Sequence, residues 1–120
     1  MIDWEISLIG ATLLDLGWIC FFSDPASWVT SGADRGSLLD ARSGAILDAD
    51  EIVDAYAEAA GFPVSAAEVR WFRAFAGYRF GVITCFNLML HRRGKRHDPL
   101  WEQTALSAPQ MFEHGLELLG

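Results

Sequence analysis

The sequence predicts an all-α fold, built as one helical domain over residues 1–120. Three observations carry this reading. A short polar residue followed three positions later by Glu or Gln, the signature of a helix start, occurs at Asp48–Glu51, Ser65–Glu68 and Ser107–Gln110. Apolar residues recur at helical spacing from Val69 to Leu90. No run alternates with period two for long enough to build a sheet, and residues 1–4 are at most the tail of a strand.

The first helix is expected from about Thr12 to Phe22, ending before Ser23-Asp24-Pro25, because the residue before a proline is pushed out of helical backbone. Residues 29–45 hold Gly32, Gly36 and Gly44 and read as a long irregular loop, a length at which loops often carry function. The second helix opens at Asp48, with Leu47 and Ile52 as a hydrophobic staple, and stops at Gly61. The third opens at Ser65, stapled by Val64 and Val69. It meets no proline before Pro99, so it runs to about Arg93 and ends at Gly94. Along it, Val69, Phe72, Ala76, Ile83, Phe86 and Leu90 form one apolar stripe, and Phe75, Val82 and Met89 a second. From Phe80 onward it is apolar nearly all round, so it needs cover on more than one side. The last helix opens at Ser107, with Pro109 tolerable in a first turn, and carries Met111, Phe112, Leu116, Leu118 and Leu119. The expected core is Phe72, Phe75, Ile83 and Phe86, joined by Leu16, Ile19 and Leu116.

Composition narrows the functional classes. Apolar residues make up 52% of the chain, with five Trp and eight Phe, which is rich for a domain with so little interior. Some of that surface should therefore be exposed or covered by a partner. A net charge of −7 argues against nucleic-acid or anionic-membrane binding, because phosphates need positive charge. The one basic cluster, Arg92-Arg93-Gly94-Lys95-Arg96-His97, reads as a solvated helix end. Cys20 and Cys85 sit in apolar runs without metal-ligand spacing and read as buried free thiols of a reducing compartment. The first residues are acidic, unlike a signal peptide, and Phe80–Leu90 is too short to span a bilayer. A cytoplasmic protein is expected. His91, His97 and His114 lack a nucleophile partner in the sequence pattern, and each reads as an isolated surface residue near a helix end.

The opening Ile2-Asp3-Trp4-Glu5, followed by Ile9-Gly10 and Leu14-Asp15-Leu16-Gly17-Trp18, resembles the aminoglycoside phosphotransferase family. These small-molecule kinases share the protein-kinase-like fold and include choline-kinase relatives. The stretch from Ile46 through Tyr56 and Gly61 to Trp71-Phe72 looks most like the branch fused to acyl-CoA dehydrogenases. The resemblance implies a helical C-terminal subdomain of that fold and a parent chemistry of γ-phosphoryl transfer from ATP to a small-molecule hydroxyl. It implies that Asp3 ends a strand and descends from a ligand of the Mg²⁺ that bridges the nucleotide phosphates, a role that suits a hard carboxylate oxygen. Asp15 matches a further acid and, within an apolar helix, is expected to be a buried structural carboxylate. Glu5 could face either the site or solvent.

The chain departs from the family pattern in two ways. Gly10-Ala11-Thr12 stands where the family has Gly-Asp-Pro, and these 120 residues contain neither the His-Gly-Asp catalytic loop with its following Asn nor the nucleotide-binding lobe. The chain by itself is therefore expected to bind neither Mg²⁺ nor ATP and to be inactive as a kinase. It would be a truncated product, half of a split enzyme, or a non-enzymatic helical interaction module. The apolar face around Ile2, Trp4, Ile6, Leu8 and Ile9 is expected to be covered by self-association or by a separate partner.

Overall fold

A computed structural model describes residues 11–29 and 47–120. Its elements are helices α1 (Leu13–Ser23), α2 (Ala49–Ala60), α3 (Ala66–Arg92), α4 (Leu100–Thr104) and α5 (Ala108–Leu119). Short 3₁₀ turns lie at Pro25–Ser27 and Ala105–Ser107. Among the described residues there is no strand, and the fold is all-α. The expected strand tail at residues 1–4 and nearly all of the 29–45 loop lie outside the described residues.

Local chemistry accounts for the helix ends. Asp48 accepts the backbone N–H of Asp50 and of Glu51, and the Glu51 carboxylate accepts the Asp48 N–H at 2.8 Å, which completes the capping box. Ser65 makes only its half of the second box, accepting the Glu68 N–H at 3.4 Å. Gly94, at φ +66°, closes α3 with paired bonds: the Gly94 N–H to the His91 carbonyl and the Lys95 N–H to the Leu90 carbonyl, both 2.9 Å. At the end of α1 the chain leaves at Asp24 in extended backbone and folds back. Ser27 Oγ donates to the Phe21 carbonyl and Trp28 Nε1 to the Phe22 carbonyl, so side chains satisfy groups the helix end leaves open.

The third box behaves differently. Ser107 does not cap α5; its Oγ accepts the Val29 N–H at 3.0 Å, and Gln110 Nε2 donates to the Ala26 carbonyl at 3.0 Å. Both residues of the expected box instead tie α5 to the turn that follows α1.

Helix α3, about 40 Å long by its rise per residue, is the axis of the fold, with α1 and α5 packed along it and α2 against α1. One cluster joins Leu16, Cys20 and Val69 to Ile52, Val53 and Tyr56 of α2. A second centres on Phe21, Ala76 and Met111, surrounded by Trp18, Phe22, Trp28 and Phe80. The buried positions of α3 are Val69, Ala74, Ala76, Gly77, Gly81, Thr84 and Asn87, mostly small residues that let neighbouring helices approach closely. A Cβ at Gly17 would lie 2.6 Å from the Phe72 backbone carbon, and one at Gly81 would lie 2.6 Å from the Phe112 ring.

This arrangement corrects the expected core. Phe86 is 55% exposed, Ile19 52% and Leu116 69%, while Phe72, Phe75 and Ile83 are half-buried. The tightest contacts along α3 form over its small side chains, and its large ones point elsewhere. Cys85, expected to be buried, is exposed; Cys20 is buried, its Sγ 3.8 Å from the Ala49 carbonyl oxygen, and burial pushes its thiol pKa up. No described helix is long and apolar enough to cross a membrane.

Candidate functional site

Two features stand out: a charged cluster where three segments meet, and an apolar groove between α3 and α5. The cluster is centred on Asp24. Its Oδ1 accepts the Ala26 N–H at 2.9 Å, which fixes the carboxylate on the turn after α1. Its Oδ2 receives Arg73 Nη2 from α3 at 2.7 Å and lies 2.8 Å from His114 Nε2 of α5. All three side chains are largely covered, at 11–18% exposure. Burial alone would raise the Asp24 pKa. The bonds from Ala26 and His114, with the positive charge of Arg73, outweigh that and hold the carboxyl below its usual value.

Beyond the cluster, His114 Nδ1 lies 3.5 Å from Glu117 Oε2, too long for a hydrogen bond. Among the described residues His114 Nδ1 and Arg73 Nε are buried without a hydrogen-bond partner. Two hydroxyls on the segments that meet here are engaged elsewhere: Ser27 donates to the Phe21 carbonyl and Ser107 accepts the Val29 N–H. The arrangement serves best as a charged pin joining α1, α3 and α5.

The groove has a volume of about 420 Å³ and is lined by Trp71, Ala74, Phe75, Tyr78 and, from α5, Phe112, Gly115, Leu116 and Leu119. Trp71 and Phe75 stack with ring centroids 5.3 Å apart, and Tyr78 approaches Phe112 at 6.4 Å. Its size falls within the range of ligand pockets.

The sequence-predicted residues fare unevenly. Asp3 and Glu5, with the apolar face around Trp4, lie outside the described residues. Asp15 is exposed on the first turn of α1 rather than buried, because the inner face of that helix is Leu16, Gly17, Cys20 and Phe21. There its charge complements the positive end of the helix dipole. His114, expected at the surface, is buried at 8% exposure and paired with Asp24. His91 accepts the Asp98 N–H through Nδ1 at 3.0 Å and packs near His97. Of the basic cluster, Arg92 forms a two-pronged pair with Glu102, and Arg96 reaches the Asn87 side chain. The Asp24–Arg73–His114 constellation was missed because its members are 49 and 90 positions apart, with no local spacing to reveal them. A weak signal exists: Asp24-Pro25 is a turn start, and Arg73 interrupts an otherwise apolar helix face.

Compared with known proteins, the chain matches no family model, no curated sequence and no solved structure.

Proposed function

We propose that this chain is the helical lobe of a cytoplasmic ATP-dependent small-molecule phosphotransferase, and that its contribution is to bind rather than to transfer. The groove between α3 and α5 carries the binding part of this reading, because an apolar, aromatic-lined cleft of about 420 Å³ lies within the range of ligand sites. The chemistry rests on the resemblance of Ile2-Asp3-Trp4-Glu5 to the phosphotransferase pattern, in which Asp3 is the position that holds Mg²⁺.

Phosphoryl transfer depends on positioning and on neutralising charge around the phosphates. A His-Gly-Asp loop and a nucleotide lobe would have to come from another polypeptide or another segment. A second reading, a helical interaction module without a kinase partner, is favoured by the same groove. Purification of the chain with its native partners distinguishes them. The phosphotransferase reading expects a partner that carries the catalytic loop, and a mixture that phosphorylates small alcohols from ATP and loses that activity in Asp3→Ala. A reconstituted complex with no ATP-dependent transfer, or with transfer indifferent to Asp3→Ala, overturns it.

A further inference from the structure

Helix α3 has a second face that the other described helices leave largely open. Trp71, Phe75, Tyr78, Val82, Cys85 and Met89 follow one another at spacings of 4, 3, 4, 3 and 4 residues. That is the apolar seam of a heptad repeat, sustained over roughly 27 Å of helix. Trp71, Tyr78, Val82 and Cys85 on it are exposed. The buried positions Ala74, Gly77, Gly81 and Thr84 lie on a different face, so the seam is not the one that holds the protomer together. A surface with this period fits another helix, because a 3.5-residue repeat keeps knobs and holes in step only with a partner of the same period.

We infer that this seam is a homodimer interface, on which the α3 helix of a second copy packs beside the α3–α5 groove about a twofold axis. The available area agrees. Aromatic side chains offer about 150–250 Å² each, so the half-exposed Trp71 and Tyr78 of the seam, with Phe86 beside it, present on the order of 300 Å² before the exposed Val82 and Cys85 are counted. A standard interface buries about 800 Å² per partner, with some 65% of it apolar in homodimers. Charge does not oppose it. None of the six seam residues is charged, and Arg73 and Arg92 of the same helix are already paired with Asp24 and Glu102, so the chain's net −7 is not concentrated on the contact.

Light scattering over a concentration series tests this on the full chain. The expected result is a dimer whose dissociation constant rises at least about tenfold in Tyr78→Glu and in Val82→Glu, with helical circular dichroism and melting of the dissociated protomer retained. Maleimide labelling of native Cys85 should slow as protein concentration rises. A monomer at high micromolar concentration overturns the inference. So does a dimer that survives both Glu substitutions but dissociates in Trp4→Asp, which would place the contact on the N-terminal face, and so does a seam covered by a different protein while the chain alone stays monomeric.

Discussion

Replacing Asp24 with Asn tests the charged pin with little change in shape. Asp24 accepts one backbone N–H and holds two cationic or protonatable partners from different helices, so the substitution removes the charge that all three share. A hydrogen bond to a charged group is worth about 1.5–3 kcal/mol net, and removing one partner of a fully buried pair costs about 3–5 kcal/mol. The three side chains keep 11–18% exposure, which lets water recover part of the loss. A cost of about 2–4 kcal/mol follows, a large share of the 5–15 kcal/mol typical of a small domain. Urea unfolding followed by circular dichroism should show a lower midpoint with an unchanged slope. The pH dependence has a definite sign. The folded-state pKa of Asp24 lies below its ordinary 3.8, so its contribution is present above that value and is lost as pH falls through the folded-state pKa. Asn does not titrate, so the stability gap between the two proteins should be full near neutrality and close in acid. A loss below about 0.5 kcal/mol, the range of ordinary surface substitutions, would refute the pin.

Gly17→Ala should destabilise even though alanine is the better helix former by about 1 kcal/mol, because its Cβ would meet the Phe72 backbone, which has nowhere to move. A raised melting temperature would show that α1 and α3 are not in such close contact. Met111→Ala, at a fully buried position, should cost about 2–5 kcal/mol, while Leu106→Ala at an exposed one should cost under about 0.5 kcal/mol; denaturant titration of the pair checks the core assignment. In dilute protein a thiol reagent should modify exposed Cys85 quickly and buried Cys20 only once denaturant is added, and equal rates would contradict the burial of Cys20.

Helix positions were legible in the sequence because their signals are local. Asp48, Ser65, Gly61 and Gly94 act on backbone groups within a few residues, and all four lie where a helix begins or ends. Ser107 and Gln110 carry the same local pattern, but better partners at Val29 and Ala26 claim their side chains, and no spacing announces that. The face of α3 turned inward was legible only in part: Val69 and Ala76 of the expected stripe are buried, but its large residues Phe72, Ile83 and Phe86 are not. Hydrophobic size pointed to Phe72, Phe75, Ile83 and Phe86, whereas close helix packing selected Ala74, Gly77 and Gly81. The apolar seam left over by that choice only becomes visible once the neighbours of α3 are known. The charged pin is hidden for a related reason, since Asp24, Arg73 and His114 meet only after α1, α3 and α5 have packed.

The central functional claim is that these 120 residues supply a binding surface to phosphoryl-transfer chemistry completed elsewhere. The most direct measurement is a radiolabelled-ATP assay of the purified chain with Mg²⁺ against a panel of aminoglycosides, choline and related alcohols, run beside Asp3→Ala. The predicted result is no transfer from either protein. Turnover by the unsubstituted chain above the Asp3→Ala level would contradict the account, because the chain would then hold a complete catalytic site of its own.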